Sequence, residues 1–239
     1  MVLWLLIIAH LLADFTFQSA DRAVKKTKQF RYLFGHAIIY ALTVAGSAFI
    51  CVPTSRALWP VSIIVFTHFV IDWIRVYVDK RIQSKIVNIS SFVLDQMLHI
   101  TIIFVVYHIY GLDDHFRSWV YACPADIDLE KLLRYALIFV SILDPAAVFV
   151  KKLSIYVSKD GNTPSLKKEP PVGRVIGKLE RVIIAILVIC NEIGAIGFVL
   201  TAKSLARYKQ LNDQDFAEKY LVGTLLSTAI AIIMALLLK

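Results

Sequence analysis

Along this 239-residue chain, apolar residues gather into long unbroken runs and polar residues gather between them. The runs cover about 1–20, 33–52, 58–78, 91–110, 131–150, 181–202 and 219–238. A bilayer-crossing helix needs about 20 such residues, so the pattern predicts seven. Backbone groups in hydrocarbon must be bonded internally, which leaves helices or a closed barrel. Runs that do not alternate exclude the barrel, and the expected fold is an all-α polytopic membrane bundle. The first run has no Lys or Arg ahead of it and no small-residue cleavage site, so it reads as a span and not as a secretory leader. Composition agrees: 58% of residues are hydrophobic and mean hydropathy is +0.69.

Three short stretches break the apolar pattern in the same way. "HLLAD" (10–14), "HFVID" (68–72) and the reversed "DQMLH" (95–99) each place His and Asp four residues apart. With six His and 13 Asp in the chain, chance gives about 0.65 such pairs. Residues four apart share a helix face, so each pair could hold one ion between its members. The reversal also makes physical sense. If the first and third spans descend and the second and fourth ascend, Asp14, His36, Asp72 and Asp95 all lie about 5–9 Å inside one boundary, at 1.5 Å per residue. His10, His68 and His99 then form a layer one turn deeper. A shift of 58 residues lays His10 on His68 and Asp14 on Asp72, a weak internal repeat.

An Asp in mid-helix costs about 2.5–3.5 kcal/mol to insert, while a hydrogen bond between membrane helices returns about 0.6 kcal/mol. Three carboxylates therefore call for more than packing. A divalent ion neutralises them, and imidazole and carboxylate are ordinary ligands of zinc, manganese and iron. The candidate ligands are His10, Asp14, His36, His68, Asp72, Asp95 and His99, enough for one or two ions. Gln18, one turn beyond Asp14, and Gln96, beside Asp95, are candidates to orient them. A proton relay and purely structural roles are the competing readings.

Charge orients the chain. The stretches 21–32, 75–90 and 151–181 carry 17 Lys and Arg, and the alternating ones carry 5. The positive-inside rule then puts Met1 outside, Lys239 in the cytoplasm and the His/Asp layer near the cytoplasmic face of a cytoplasmic membrane. The net charge of +8 is thus a topology signal, with attraction to anionic lipid as a by-product. No basic soluble face with interleaved aromatics is present, so nucleic-acid binding is not expected. Residues 1–150 read as a core of five helices, 151–179 as a cytoplasmic linker and 180–239 as a C-terminal helix pair. The acidic, aromatic stretch 111–130 is expected along the outer surface. Cys51 and Cys123 fall near that side, where a disulfide is compatible with the compartment.

Other polar residues read more plainly. Asp144, before Pro145, lies in the shallow layer or serves a proline kink. His108 and His115 read as interfacial. Glu180, Arg181, Asn191, Glu192, Lys203, Arg207 and Glu218 suggest an ion-pair network, with Arg181, Lys203 and Arg207 also able to meet lipid headgroups.

The stretches "HLLADFTFQ", "GHAIIYAL", "THFVIDWIR" and "LDQMLHI", followed by "GKLERVIIAIL", "AIGFVLTAKSLAR" and "AEKYLVGTLLS", resemble a bacterial integral-membrane family classed as a domain of unknown function, DUF3307. The His/Asp pattern is more distantly similar to membrane-bound metal-dependent hydrolases. The first resemblance implies no activity, and the second implies hydrolysis by analogy. Three functions stay open. A hydrolase would act on a lipid-borne substrate at the shallow site, with Asp95 as general base. A divalent-metal or proton transporter would hold its ion nearer the midplane. A non-enzymatic module would keep a closed structural metal and associate through Gly194, Gly197 and Gly223 with another subunit or, as a homo-oligomer, with a second copy.

Overall fold

The computed structural model describes residues 1–18, 25–26, 29–82, 84–114, 128–157 and 171–239. Every regular element among them is helical. Helix α1 (Val2–Leu11) runs into a π-helical turn, Leu12–Thr16, closed by the Phe17 N–H donating to the Leu12 carbonyl at 2.8 Å. Then come α2 (Phe30–Cys51), α3 (Thr54–Arg81), α4 (Lys85–Tyr110), α5 (Leu129–Ile142), α6 (Asp144–Val157), α7 (Pro171–Ile189), α8 (Ala195–Ala206) and α9 (Gln214–Leu238). Among the described residues five helical stretches are long and apolar enough to cross a membrane: α2, α3, α4, α5 with most of α6, and α9. The chain is a membrane protein built as a helical bundle.

The chain divides into two compact units, Met1–Leu137 and Ile138–Lys239, with the division inside α5. In the first unit α1 packs on α2 and α4, α2 on α3, and α3 on α4. Each helix buries one seam at helical spacing. On α2 it is Leu33, His36, Tyr40, Val44, Ala48 and Cys51; on α3 it includes Ala57, Val61, Ile64, His68, Asp72 and Val76; on α4 it is Phe92, Asp95, His99, Ile103 and Val106. Every seam changes from apolar to polar along its length, and the changes coincide. The opposite faces stay apolar as well: Phe34 and Leu42 on α2, Phe66 and Trp73 on α3, and Leu94 and Phe104 on α4 are exposed. Such faces suit lipid, because a bilayer does not require a polar exterior. Helix α4 stops at Gly111, whose φ of 53° is the left-handed cap conformation glycine adopts without strain. Two residues on, Asp113 accepts from the Val2 N–H at 2.9 Å, the Met1 ammonium at 3.0 Å and the Tyr107 hydroxyl at 2.5 Å, tying the start of α1 to the end of α4.

In the second unit two expected features are corrected. The span expected at 181–202 is not one helix: α7 ends at Ile189, Asn191 takes a left-handed φ of 63°, and α8 begins at Ala195. Arg181, expected at headgroups or in an ion-pair network, is instead buried at 4% exposure. Its guanidinium donates to the Ile142 carbonyl, to the Leu143 carbonyl at 3.1 Å and to Ser227 Oγ at 3.0 Å. Pro145 has no N–H to give the Ser141 carbonyl four residues earlier, and the helix is interrupted at Leu143, between α5 and α6. Arg181 supplies fixed donors at that break. Asp144 pairs with Lys178 at 2.5 Å. The Lys203–Glu180 pair, at 2.5 Å, does form. His108 is exposed beside Phe104 and Tyr107; His115 and Cys123 lie outside the described residues.

Candidate metal centre

The polar ends of the first unit's seams meet. His10 comes from α1, Asp14 from the π-turn, His36 from α2, His68 and Asp72 from α3, and Asp95 and His99 from α4. His10, His36, His68, Asp72, Asp95 and His99 are all buried to 4% exposure or less. The rings of His10 and His99 lie 5.2 Å apart by centroid, those of His68 and His99 4.3 Å, and those of His36 and His68 5.4 Å. His10, His68 and His99 therefore face one another and not three separate surroundings.

Ligand atoms approach closely at the centre. His36 Nε2 lies 3.1 Å from Asp14 Oδ1, 3.3 Å from His68 Nε2 and 3.4 Å from Asp72 Oδ2. His68 Nε2 lies 3.4 Å from Asp14 Oδ1 and 3.5 Å from Asp72 Oδ2. Ligands about 2.0–2.1 Å from a tetrahedral zinc stand about 3.3 Å from each other. All five separations are near that value. Two groupings bring one candidate ligand atom per residue within 4.8 Å of all the others: His10, Asp14, His68 and His99, and His36, His68 and Asp72. His68 belongs to both. Two imidazole nitrogens that face each other at 3.3 Å must share a proton or a cation, since two lone pairs or two N–H groups would repel. The donor set, nitrogen and carboxylate oxygen, suits zinc, manganese or iron.

Neighbours hold this centre. Gln96, expected as a support, bridges the two carboxylates: its amide nitrogen lies 3.2 Å from Asp14 Oδ2 and 3.0 Å from Asp95 Oδ2, and its oxygen lies 3.2 Å from His10 Nε2. Gln18 lines a cavity that His36 also lines, and among the described residues its amide nitrogen is buried without a hydrogen-bond partner. Asp95 stands apart from both groupings. Arg75 donates to its Oδ2 at 2.8 Å, His99 Nδ1 is 3.8 Å from the same oxygen, and Oδ1 is buried with no partner among the described residues. Both ring nitrogens of His99 likewise lack a hydrogen-bond partner among the described residues.

Three participants were not anticipated. Tyr40 stacks on His68, with centroids 3.5 Å apart and planes 3° from parallel, and its hydroxyl lies 3.3 Å from His10 Nδ1. The same four-residue spacing that marks the His/Asp pairs runs from His36 to Tyr40 and would have found it. Arg75, one turn beyond Asp72, was read only as a topology signal. Lys26, whose ammonium contacts Asp72, comes from a segment with no periodicity to betray it.

Beside the centre, a cavity of about 210 Å³ is lined by Phe17, Gln18, Arg31, Tyr32, Gly35, His36 and Ile39. The cavity thus ends on a residue of the cluster. DUF3307, a family described as proteins of unknown function, matches residues 2–125, just over half of the chain and all seven cluster residues. No curated protein and no solved structure matches the chain.

Proposed function

The chain belongs to the DUF3307 family of proteins of unknown function, and from that premise we propose that it is a metal-dependent hydrolase of a lipid-borne substrate, holding one or two divalent transition-metal ions, zinc foremost, in its His/Asp cluster. The observation that carries the reading is the set of five ligand-atom separations between 3.1 and 3.5 Å, contributed by Asp14, His36, His68 and Asp72. A bound divalent ion would supply Lewis-acid polarisation and a more acidic water. Around it, His10 and His99 complete the donor set on the Asp14 side. Asp95 is the general base: Arg75 and Gln96 fix one carboxylate oxygen and leave the other free to accept a proton. The cavity supports a catalytic centre over a closed structural one, because it brings open space up to His36, a residue of the cluster. Met1 is placed outside and the cluster in the cytoplasmic half of the membrane, on the strength of the 17-to-5 distribution of basic residues.

Elemental analysis of the purified protein tests the metal. One or two ions per chain are expected, and the Asp14→Asn/Asp72→Asn double variant should lose them. Hydrolysis is tested by release of water-soluble product from labelled membrane lipid. Chelation should stop it, and Asp95→Asn should stop it while keeping the metal. Metal at background in the native protein would overturn the proposal at its root.

A further inference from the structure

The cavity beside His36 carries chemistry that the cluster does not use. His36, whose Nε2 faces Asp14 and His68, is one of its lining residues. Its polar lining is otherwise made of donors. Arg31 lies with its guanidinium carbon 4.9 Å from the centre of the Tyr32 ring, and it donates to the Tyr32 hydroxyl at 3.3 Å. Lys25 lies over the same ring at 5.6 Å. Among the described residues no carboxylate pairs with Arg31 or Lys25, and none lines the cavity. Gln18 adds an amide nitrogen that is buried without a partner among those residues, a donor that a ligand's acceptor oxygen would satisfy. Phe17 and Ile39 complete the wall with apolar surface.

A guanidinium held in place by an aromatic ring, a neutral donor and a second cation at the rim together make a receptor for a tetrahedral oxyanion, since guanidinium forks match phosphate oxygens. We propose that this cavity binds the phosphoryl group of a phosphate ester, with Arg31 and Gln18 as its direct contacts and Lys25 as a rim charge. As a statement about substrate it rests on the hydrolase reading, and it sharpens it. The substrate is a phosphate ester whose phosphoryl group sits at the His36 edge of the cluster. As a statement about binding it stands without the metal. The ester can be the headgroup of a lipid or a free, water-soluble phosphate.

The test uses the full chain in detergent at fixed ionic strength, with and without chelator. One arm titrates inorganic phosphate. The other titrates short-chain phosphatidate, with short-chain diacylglycerol as its phosphate-free control. Binding of phosphatidate but not of inorganic phosphate supports the proposal and assigns a lipid source; binding of inorganic phosphate supports it and assigns a free one. Arg31→Gln should weaken binding about tenfold or more, as for one lost charge-assisted contact, with Arg31→Lys recovering part. Gly35→Leu is the second variant. Gly35 lines the cavity, and a Cβ built there meets nothing within 4 Å, so a larger side chain adds bulk at the cavity wall. It should abolish binding while metal content stays unchanged. Binding of neither phosphate probe, equal binding of diacylglycerol, or binding indifferent to both Arg31→Gln and Gly35→Leu overturns the proposal. Absence of metal in the wild type would leave the chelated arm readable, so the two readings fail separately.

Discussion

Removing His68 should lose more metal than removing any other imidazole, because both candidate groupings pass through it. Elemental analysis of His68→Ala should find metal near background. His10→Ala and His36→Ala each disturb one grouping and should keep a measurable part. Equal losses in all three would mean that the cluster binds as one indivisible set. Lys26 should act in the opposite direction. Its ammonium touches Asp72 and so competes for the charge that a metal would use. Two unit charges 4 Å apart repel by about 4 kcal/mol at an effective dielectric of 20. The side chain can swing away, so the realised penalty is smaller. Lys26→Met should tighten metal binding by about tenfold, read by competition with a chromogenic chelator. At this scale the sequence was most legible where a residue repeats a spacing. The pairs 10/14, 68/72 and 95/99 announce themselves against apolar neighbours. Lys26 does not, because a lysine in a basic loop looks like every other lysine there. Gln18 and Gln96 were equally suggestive by position, yet only Gln96 reaches the carboxylates.

Helices were legible as apolar runs, but their interruptions were not. Hydropathy cannot register the π-turn at Leu12–Thr16, since it changes hydrogen-bond register and leaves composition untouched. Hydropathy runs straight through the break at Leu143 and the left-handed Asn191 for the same reason. Only Pro145 gives a local warning of the first. Arg181 is what the break at Leu143 demands, and Arg181→Met should show it. The Ile142 carbonyl would lose its Arg181 donor, at about 1–3 kcal/mol for a buried group left unsatisfied, while the Leu143 carbonyl would keep the Ala147 N–H at 3.3 Å. Thermal unfolding in detergent should drop by several degrees, and Arg181→Lys should recover little, having no fork with which to reach both carbonyls. At the other end of the first unit, Asp113 makes a pH-dependent tie. Burial alone would raise its carboxyl, but the Tyr107 hydroxyl, the Val2 N–H and the Met1 ammonium outweigh burial and hold it below the ordinary carboxylate range. A depressed folded value stabilises the protein above the unfolded value of about 3.9, and the contribution disappears as pH falls through the folded one. Asp113→Asn should therefore be less stable than wild type at neutral pH, and the difference should close in acid. A constant gap across the titration would show that the aspartate acts by shape alone.

The two units carry different kinds of information. All seven cluster residues lie in Met1–Leu137, and the family match at 2–125 falls within the same unit. The second unit holds the Arg181 and Lys203–Glu180 contacts. Topology belongs to the whole chain. The proposed orientation puts Met1 outside, so an impermeant maleimide should label Arg56→Cys in intact cells and should reach Lys80→Cys only after the membrane is opened. Both positions are exposed, at opposite ends of α3. The reverse pattern would put the His/Asp layer in the outer half of the membrane. Fold class was legible because a bilayer imposes a length rule on any sequence that crosses it. How the seams converge depends on helix rotation, which the lipid-facing apolar residues hide by making every face look buried.

The stack of Tyr40 on His68 gives the protein an optical property. A phenol ring lies in van der Waals contact with the imidazole that both groupings share. A positive ion drawn to that imidazole would change the electric field across the phenol and shift its near-ultraviolet absorption. Among ten tyrosines, Tyr40 alone is stacked on that imidazole among the described residues. A difference spectrum that appears on metal addition and vanishes in Tyr40→Phe would count site occupancy directly, with no label attached and no catalytic turnover needed.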